Sequence, residues 1–227
     1  FTSADIPKIL ALEPDLVLAF SDLQADIAAE LIREGVTVTA YNQRDIAGIL
    51  AMIRHLGATV GEGAQAMRLA DGFERRLDEV ATLAQTQARP RVYFEEWDDP
   101  MISGIKWVSE LVEIAGGLVI FPEHANAGAA MDRIVTSEQV ITAAPDVILA
   151  SWCGKKVRSE KICARPGWDA IPAVKSGRIT EIKSPLILQP GPAAVTDGLD
   201  AILAALAPSE STLDDPDQRL CRHQQTW

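Results

Sequence analysis

The stretch KILALEPDLVLAF, Lys8–Phe20, returns later in the chain as QVITAAPDVILASW, Gln139–Trp152. Each copy runs a short helical segment into Pro-Asp and then into a continuous apolar run that closes on an aromatic residue, Phe20 or Trp152. Proline and aspartate punctuate the chain at a turn, and a short apolar run bounded by a turn fits a strand buried on both faces, as in a parallel sheet. The sequel repeats too. The first copy continues through an amphipathic helix, Ala25–Arg33, stopped by Gly35 in the C′ position, into EGVTVTAY, Glu34–Tyr41; the second continues into SGRITEI, Ser176–Ile182. A strand-helix-strand unit that occurs twice restricts the chain to an α/β protein of two β-α-β lobes, and directs attention to the cleft between them.

Between the copies, Asp45–Leu56 reads as a helix capped by Asp45, and Gly61–Gln87 as one uninterrupted helix with Met67, Ala70, Phe73, Leu77, Val80 and Leu83 at a spacing of three to four. Ala88-Arg89-Pro90 stops it. The expected organisation is an N-terminal lobe over 1–58, a linking backbone helix within 59–89, a C-terminal lobe over 90–208 and a loose polar tail over 209–227. In the C-terminal lobe the strand Arg91–Trp97, a loop and the helix Trp107–Ala115 precede the Pro-Asp strand, whereas only Phe1–Glu13 precede it in the first. The repeat therefore predicts an N-terminal lobe lacking its first strand-helix unit, with an unprotected sheet edge that invites a homodimer. Farther on, Arg178–Ile182 reads as a strand, Pro185–Pro192 as a proline-rich loop and Ala193–Leu206 as the closing helix.

Charge narrows the partners. There are 21 basic residues against 32 acidic ones, a net −11, and nucleic-acid binding needs a basic face. No run of about 18 apolar residues exists to span a membrane. The chain begins at Phe1 with no recognisable signal peptide. Cys153, Cys163 and Cys221 form no even framework, although a Cys153–Cys163 bridge across one loop is allowed in an oxidising compartment. His55, His124 and His223 are scattered, so neither a structural metal site nor a resident cofactor is expected.

In doubly wound sheets ligands lie beyond the carboxyl ends of the strands. Here those ends carry Phe20, Ser21 and Asp22; Asn42; Glu95, Glu96 and Trp97; Trp152 and Cys153; and Leu188 and Gln189. No glycine-rich phosphate cradle is among them, which disfavours a nucleotide. Trp107, on a helix with apolar neighbours, reads as core. Trp97, Trp152 and Trp168 stand near loops, where they either pack inward or wall a planar or macrocyclic ligand. Adjacent strand residues face opposite ways, so Glu95 and Glu96 do not form an acid-base dyad from a regular strand. An enzyme using Cys153, with Lys155 or Lys156 activating the thiol, or Glu95 is the alternative to a binding module. Asp26 and Glu138 are expected to be exposed, one on each lobe.

LEPDLVLAF, the lobe repeat, the uninterrupted linking helix and RPGWDAIPAVKSGRITEI resemble the class III periplasmic substrate-binding proteins of ABC importers for vitamin B12, haem and iron–siderophores, with the cobalamin-binding type most similar. The resemblance covers Ile6–Pro208. It implies two Rossmann-like lobes joined by one backbone helix, an extracytoplasmic location, and a corrinoid or other metal chelate, cobalamin or haem, in the cleft as transported ligand. It implies that Phe20 contacts this ligand and that Asp26 and Glu138 dock onto arginines of a membrane permease. Asp26 stands where the family has glutamate, with Glu30 one turn on, and Asp132 replaces an aromatic ligand contact of the cobalamin type. It also implies an N-terminal strand-helix unit absent here, in agreement with the repeat.

Overall fold

A computed structural model describes residues 3–208, which fall into two compact units that divide between Gln43 and Arg44. The expected tail, 209–227, and Cys221 and His223 within it lie outside the described residues.

The first unit contains α1 (Ile6–Leu10), β1 (Val17–Phe20), α2 (Ala25–Arg33) and β2 (Val38–Tyr41). Asp5 caps α1 by accepting the Lys8 N–H at 3.1 Å. β1 and β2 pair in parallel from Val17 opposite Val38 to Phe20 opposite Tyr41. Gly35 has φ +82°, the left-handed geometry expected just past a helix end. Burial of β1 on both faces does not hold: Ala19 is buried, but Leu18 keeps 49 % of its surface exposed. Successive strand residues face opposite ways, and the sheet of this unit has two strands, so one of its faces is thinly covered.

The second unit opens with α3 (Ile46–Thr59) and α4 (Gly63–Ala84), an antiparallel pair joined by a short turn. A Cβ on Gly57 would lie 2.1 Å from that of Ala66, so the close approach of the two helices requires glycine there. α4 is the expected long helix, somewhat shortened at both ends. The unit continues with β3 (Arg91–Asp98), β4 (Met101–Ser103), α5 (Lys106–Ile114), β5 (Leu118–Val119), α6 (Ser137–Ala143), β6 (Val147–Ala150), α7 (Ser159–Cys163), α8 (Pro172–Ser176), β7 (Ile179–Glu181), α9 (Ser184–Ile187) and α10 (Leu199–Leu206). The sheet runs β4-β3-β6-β7, with β5 also on β3; β3, β5, β6 and β7 are parallel and β4 is antiparallel. The repeat is therefore real at the level of pairing, since β6 and β7 are parallel neighbours as β1 and β2 are.

This sheet is buried on both faces. Val92, Phe94, Val147 and Leu149 join a cluster with α3, α4, α5 and α10, while Tyr93, Ile148 and Ala150 join a second cluster with Trp152 and Trp168. Trp107 is core, as expected, and its indole N–H donates to the Ile187 carbonyl at 2.8 Å. Two segments differ from the reading of the sequence. The stretch after β3, read as a loop, folds back as β4, because its Met-Ile-Ser run supplies one more short pairing edge. The proline-rich stretch after β7 begins with α9, since proline is tolerated in a helix's first turn.

Asp45 shows how local signals fix the start of this unit. Its carboxylate accepts the Gly48 N–H at 2.8 Å and the Lys106 ammonium at 2.9 Å. These hydrogen bonds, Lys106 first, hold the Asp45 carboxyl below its usual range. A depressed carboxyl stabilises the fold above its unfolded pKa, and that contribution is lost as pH falls through the folded value. We expect Asp45→Ala to cost about 1 kcal/mol at neutral pH, chiefly through the lost cap. The gap from wild type should close as pH falls below about 4. Urea titrations of both proteins across pH test this, and a gap independent of pH would refute the electrostatic part.

Candidate functional site

In the first unit the carboxyl end of β1 makes a tight corner. The Phe20 N–H donates to Gln24 Oε1 at 2.9 Å, and the Ser21 N–H donates to the Tyr41 carbonyl at 2.7 Å. Ser21 sits at φ +75°, ψ 153°, a region that is essentially glycine's own and costs a side-chain-bearing residue about 1–3 kcal/mol. Its hydroxyl accepts the Leu23 N–H at 3.2 Å and donates to Asp22 Oδ1 at 3.0 Å, which partly offsets that strain. Phe20 is half-buried, while Asp22 and Asn42, just past the ends of β1 and β2, are exposed. Strain at a strand's carboxyl end is where ligand contacts are commonly built.

In the second unit β3 sends its residues alternately to the two faces of the sheet, and Glu95 and Glu96 part as expected. Glu95 is fully buried. It accepts the Trp152 indole N–H at 3.0 Å and both ends of the Arg165 guanidinium, with Nη2 at 3.0 Å. Arg165 in turn lies over the Trp168 ring, 4.5 Å from its centre. Burial pushes the neighbouring Tyr93 phenol well up, and the Glu95 charge adds to the effect. Glu96 accepts the Arg133 guanidinium at 2.7 and 3.0 Å and the Ile105 N–H at 3.1 Å.

These contacts correct several expectations. Trp168 is fully buried, its indole donating to Ser137 Oγ at 2.6 Å, so it forms no wall for a ligand, and Trp152, 2 % exposed, keeps only a small part of its surface at a strand-end depression. In each an internal acceptor satisfies the buried indole N–H, Glu95 for Trp152 and Ser137 for Trp168. Glu95 is enclosed and Glu96 is committed to Arg133, which removes both from a surface role. Cys153 is a free, exposed thiol, so the Cys153–Cys163 bridge is not made. Leu188 packs against the main core, and Gln189 is exposed. Asp26 and Glu138 are exposed in the first turns of α2 and α6, where acids also favour the helix dipole.

What remains open at the strand ends is Trp97 and the loop after β6. Trp97 is half-buried. The Lys155 ammonium lies 3.9 Å from the centre of its ring and 5.3 Å from that of Trp152, and it also pairs with Asp98. Burial alone would raise the Asp98 carboxyl, but Lys155 outweighs it and the net effect is downward. Beside this clamp is a depression of about 230 Å³ lined by Trp152, Lys155, Lys156, Glu181, Lys183 and Ser184. From the sequence Lys155 and Lys156 enter only as possible activators of Cys153, and Lys183 not at all. Their signal was their position, directly after the two parallel strands β6 and β7. Among the described residues no group of three histidine, cysteine or acidic side chains is placed to hold a metal ion.

Residues 1–186 match the family of periplasmic binding proteins. The chain belongs to this family. It is 24% identical over 91% of its length to the uncharacterized ABC transporter substrate-binding lipoprotein YvrC of Bacillus subtilis, of which it covers 66%. It is 25% identical over 82% of its length to the vitamin B12-binding protein of Vibrio parahaemolyticus, again covering 66% of that protein. The chain thus spans just under two thirds of these curated relatives. Among solved structures, a periplasmic heme-binding protein from Pseudomonas aeruginosa shares the fold with a TM-score of 0.76 at 20% identity, over 95% of this chain and 80% of that one. The periplasmic binding protein family works outside the cytoplasm, and no described helix of this member is long and apolar enough to cross a membrane. These relatives are named as transport substrate-binding proteins, not as enzymes, and Glu95 and Lys155 are committed here to Trp152 and Asp98.

Proposed function

We propose that the chain is the substrate-binding component of an ABC importer and captures a metal chelate of the cobalamin, haem or ferric-siderophore class. The family match over 1–186 carries this reading. The strand-end geometry supports it: the loops after β3, β6 and β7 bring the half-buried Trp97, capped by Lys155, and a polar depression to the position where α/β sheets receive ligands. The strained corner at Ser21 is a second strand end of the same kind. Trp97, half-buried with the Lys155 ammonium over its ring, offers the chelate its remaining exposed aromatic surface, and Phe20 is the aromatic residue at the carboxyl end of β1. Asp26 and Glu138 are the acids that would meet a basic permease surface, acting on encounter and register more than on ligand affinity.

Tryptophan fluorescence titrations with cyanocobalamin, haemin and a ferric hydroxamate test the reading. At least one should quench in a saturable way, and Trp97→Leu should weaken that ligand by about tenfold, the loss of one stacked aromatic contact. Saturable quenching by none of the three would remove the proposal. Charge reversal at Asp26 and Glu138 should leave ligand affinity unchanged and abolish stimulation of a reconstituted permease; unaffected stimulation would remove the docking assignment.

A further inference from the structure

Correcting the tryptophans changes what the strand-end depression can recognise. Trp152 is almost wholly buried, and three lysines, Lys155, Lys156 and Lys183, line its depression of about 230 Å³ beside Glu181, Ser184 and Pro185, in a protein whose net charge is −11. The acids facing these lysines are Asp98 and Glu181. Lys155 pairs with Asp98, and Lys183 pairs with Glu181 at 2.8 Å. Glu181 also accepts the Val157 N–H at 3.2 Å. Burial would raise the Glu181 carboxyl, but these donors and the nearby Lys156 charge bring it below its usual range, so it stays ionised. Lys156, exposed, has no hydrogen-bonded or ion-paired partner among the described residues. Three lysines and one acid, Glu181, line the depression, with Asp98 paired to Lys155 behind it, and Lys156 is the lysine left without a direct hydrogen-bonded partner. Ser184 adds a hydroxyl donor at the rim.

We propose that this depression is an anion subsite that takes a carboxylate or phosphate carried by the transported chelate. The chain would then select an acidic chelate over a neutral one. The inference rests on the import reading above for the identity of the ligand, but not for the binding of the anion itself. An acidic group placed there gains charge-assisted hydrogen bonds from Lys156 and from the outer face of Lys183, in a shallow site where attraction is weakened but not abolished by salt. Trp97 lies under Lys155, one of the lysines lining the subsite, so a ligand there would meet the cationic edge first and reach the indole only alongside that ammonium.

The test uses the full chain and four probes: haemin, haemin dimethyl ester with its carboxylates masked, cyanocobalamin, and citrate alone as a simple polycarboxylate. We expect haemin to bind at least about tenfold more tightly than its ester, the scale of one charge-assisted contact. Lys156→Gln with Lys183→Gln should erase that preference, and Lys156→Arg should retain it. Both lysines are exposed at the rim, so circular dichroism should show the variants folded. Equal affinity for haemin and its ester, or a preference that survives the double substitution, would overturn the subsite. If no chelate binds, the import reading fails separately, and calorimetry with citrate decides the subsite: binding that the double variant loses upholds it, and no binding by wild type overturns it.

Discussion

Replacing Arg165 by alanine should lower the stability of the second unit by about 3–5 kcal/mol, the range seen when one partner of a buried ion pair is removed. Glu95 is fully buried, and its carboxylate has two kinds of donor, the Arg165 fork and the Trp152 indole at 3.0 Å. Without the fork, a carboxylate enclosed by Tyr93, Trp152 and Trp168 keeps a single neutral hydrogen bond. The guanidinium also lies on the Trp168 face, so alanine removes a packed surface as well as a charge. Arg165→Lys should recover part of the loss, since an ammonium supplies charge but not two parallel hydrogen bonds. Urea unfolding followed by far-ultraviolet circular dichroism measures the effect. A loss below about 1 kcal/mol, the range of exposed pairs, would mean that Glu95 is hydrated after all. Because Glu95 is here a structural group, ligand affinity per folded molecule should hardly change.

The second large effect belongs to Glu96. Arg133 is 2 % exposed, and its fork is held by Glu96 at 2.7 and 3.0 Å and by the Ser103 carbonyl. Glu96→Ala leaves a buried guanidinium with one acceptor and strips the Ile105 N–H, at the entry to α5, of its partner. A loss of about 3–5 kcal/mol follows from the stranded charge. Glu96→Leu combined with Arg133→Met should cost much less than Glu96→Ala alone, because apolar groups of similar size remove both desolvation penalties together. That ordering, measured by urea unfolding, is the sharper check. If the double variant is as unstable as the single one, the cost lies in shape rather than charge.

Particular residues show how far the sequence could be read. The Pro-Asp strands, Gly35 at its positive φ, Asp45 as a cap and Trp107 in the core all rest on signals within a few residues, and such signals survive translation into structure because backbone geometry and periodicity are local. The opposite facing of Glu95 and Glu96 was legible for the same reason. Their partners were not. A buried carboxylate demands a cation, but Arg133 and Arg165 lie 37 and 70 residues away, and nothing in the spacing selects them from the other arginines. β4 escaped notice because three residues of ordinary composition become a strand only when an edge is there to receive them.

The tryptophans mark the same boundary. Trp97, Trp152 and Trp168 each stand near a loop at a strand end, and one-dimensional reading gives them equal claims to a ligand. All three indole N–H groups find a protein acceptor, but those of Trp152 and Trp168 are the distant Glu95 and Ser137, inside the lobe, whereas that of Trp97 is the neighbouring Asp99 carbonyl in an exposed turn. The repeated Pro-Asp unit by itself determined an α/β chain built from two copies of strand-helix-strand, because helix and strand periods and turn chemistry are written in neighbouring residues. Only the tertiary structure decided which strand-end side chains are spent on the core and which, Trp97 and the lysines after β6 and β7, keep exposed surface at the strand ends. Burial and charge pairing are settled by residues brought together from distant parts of the chain, so no local pattern records them.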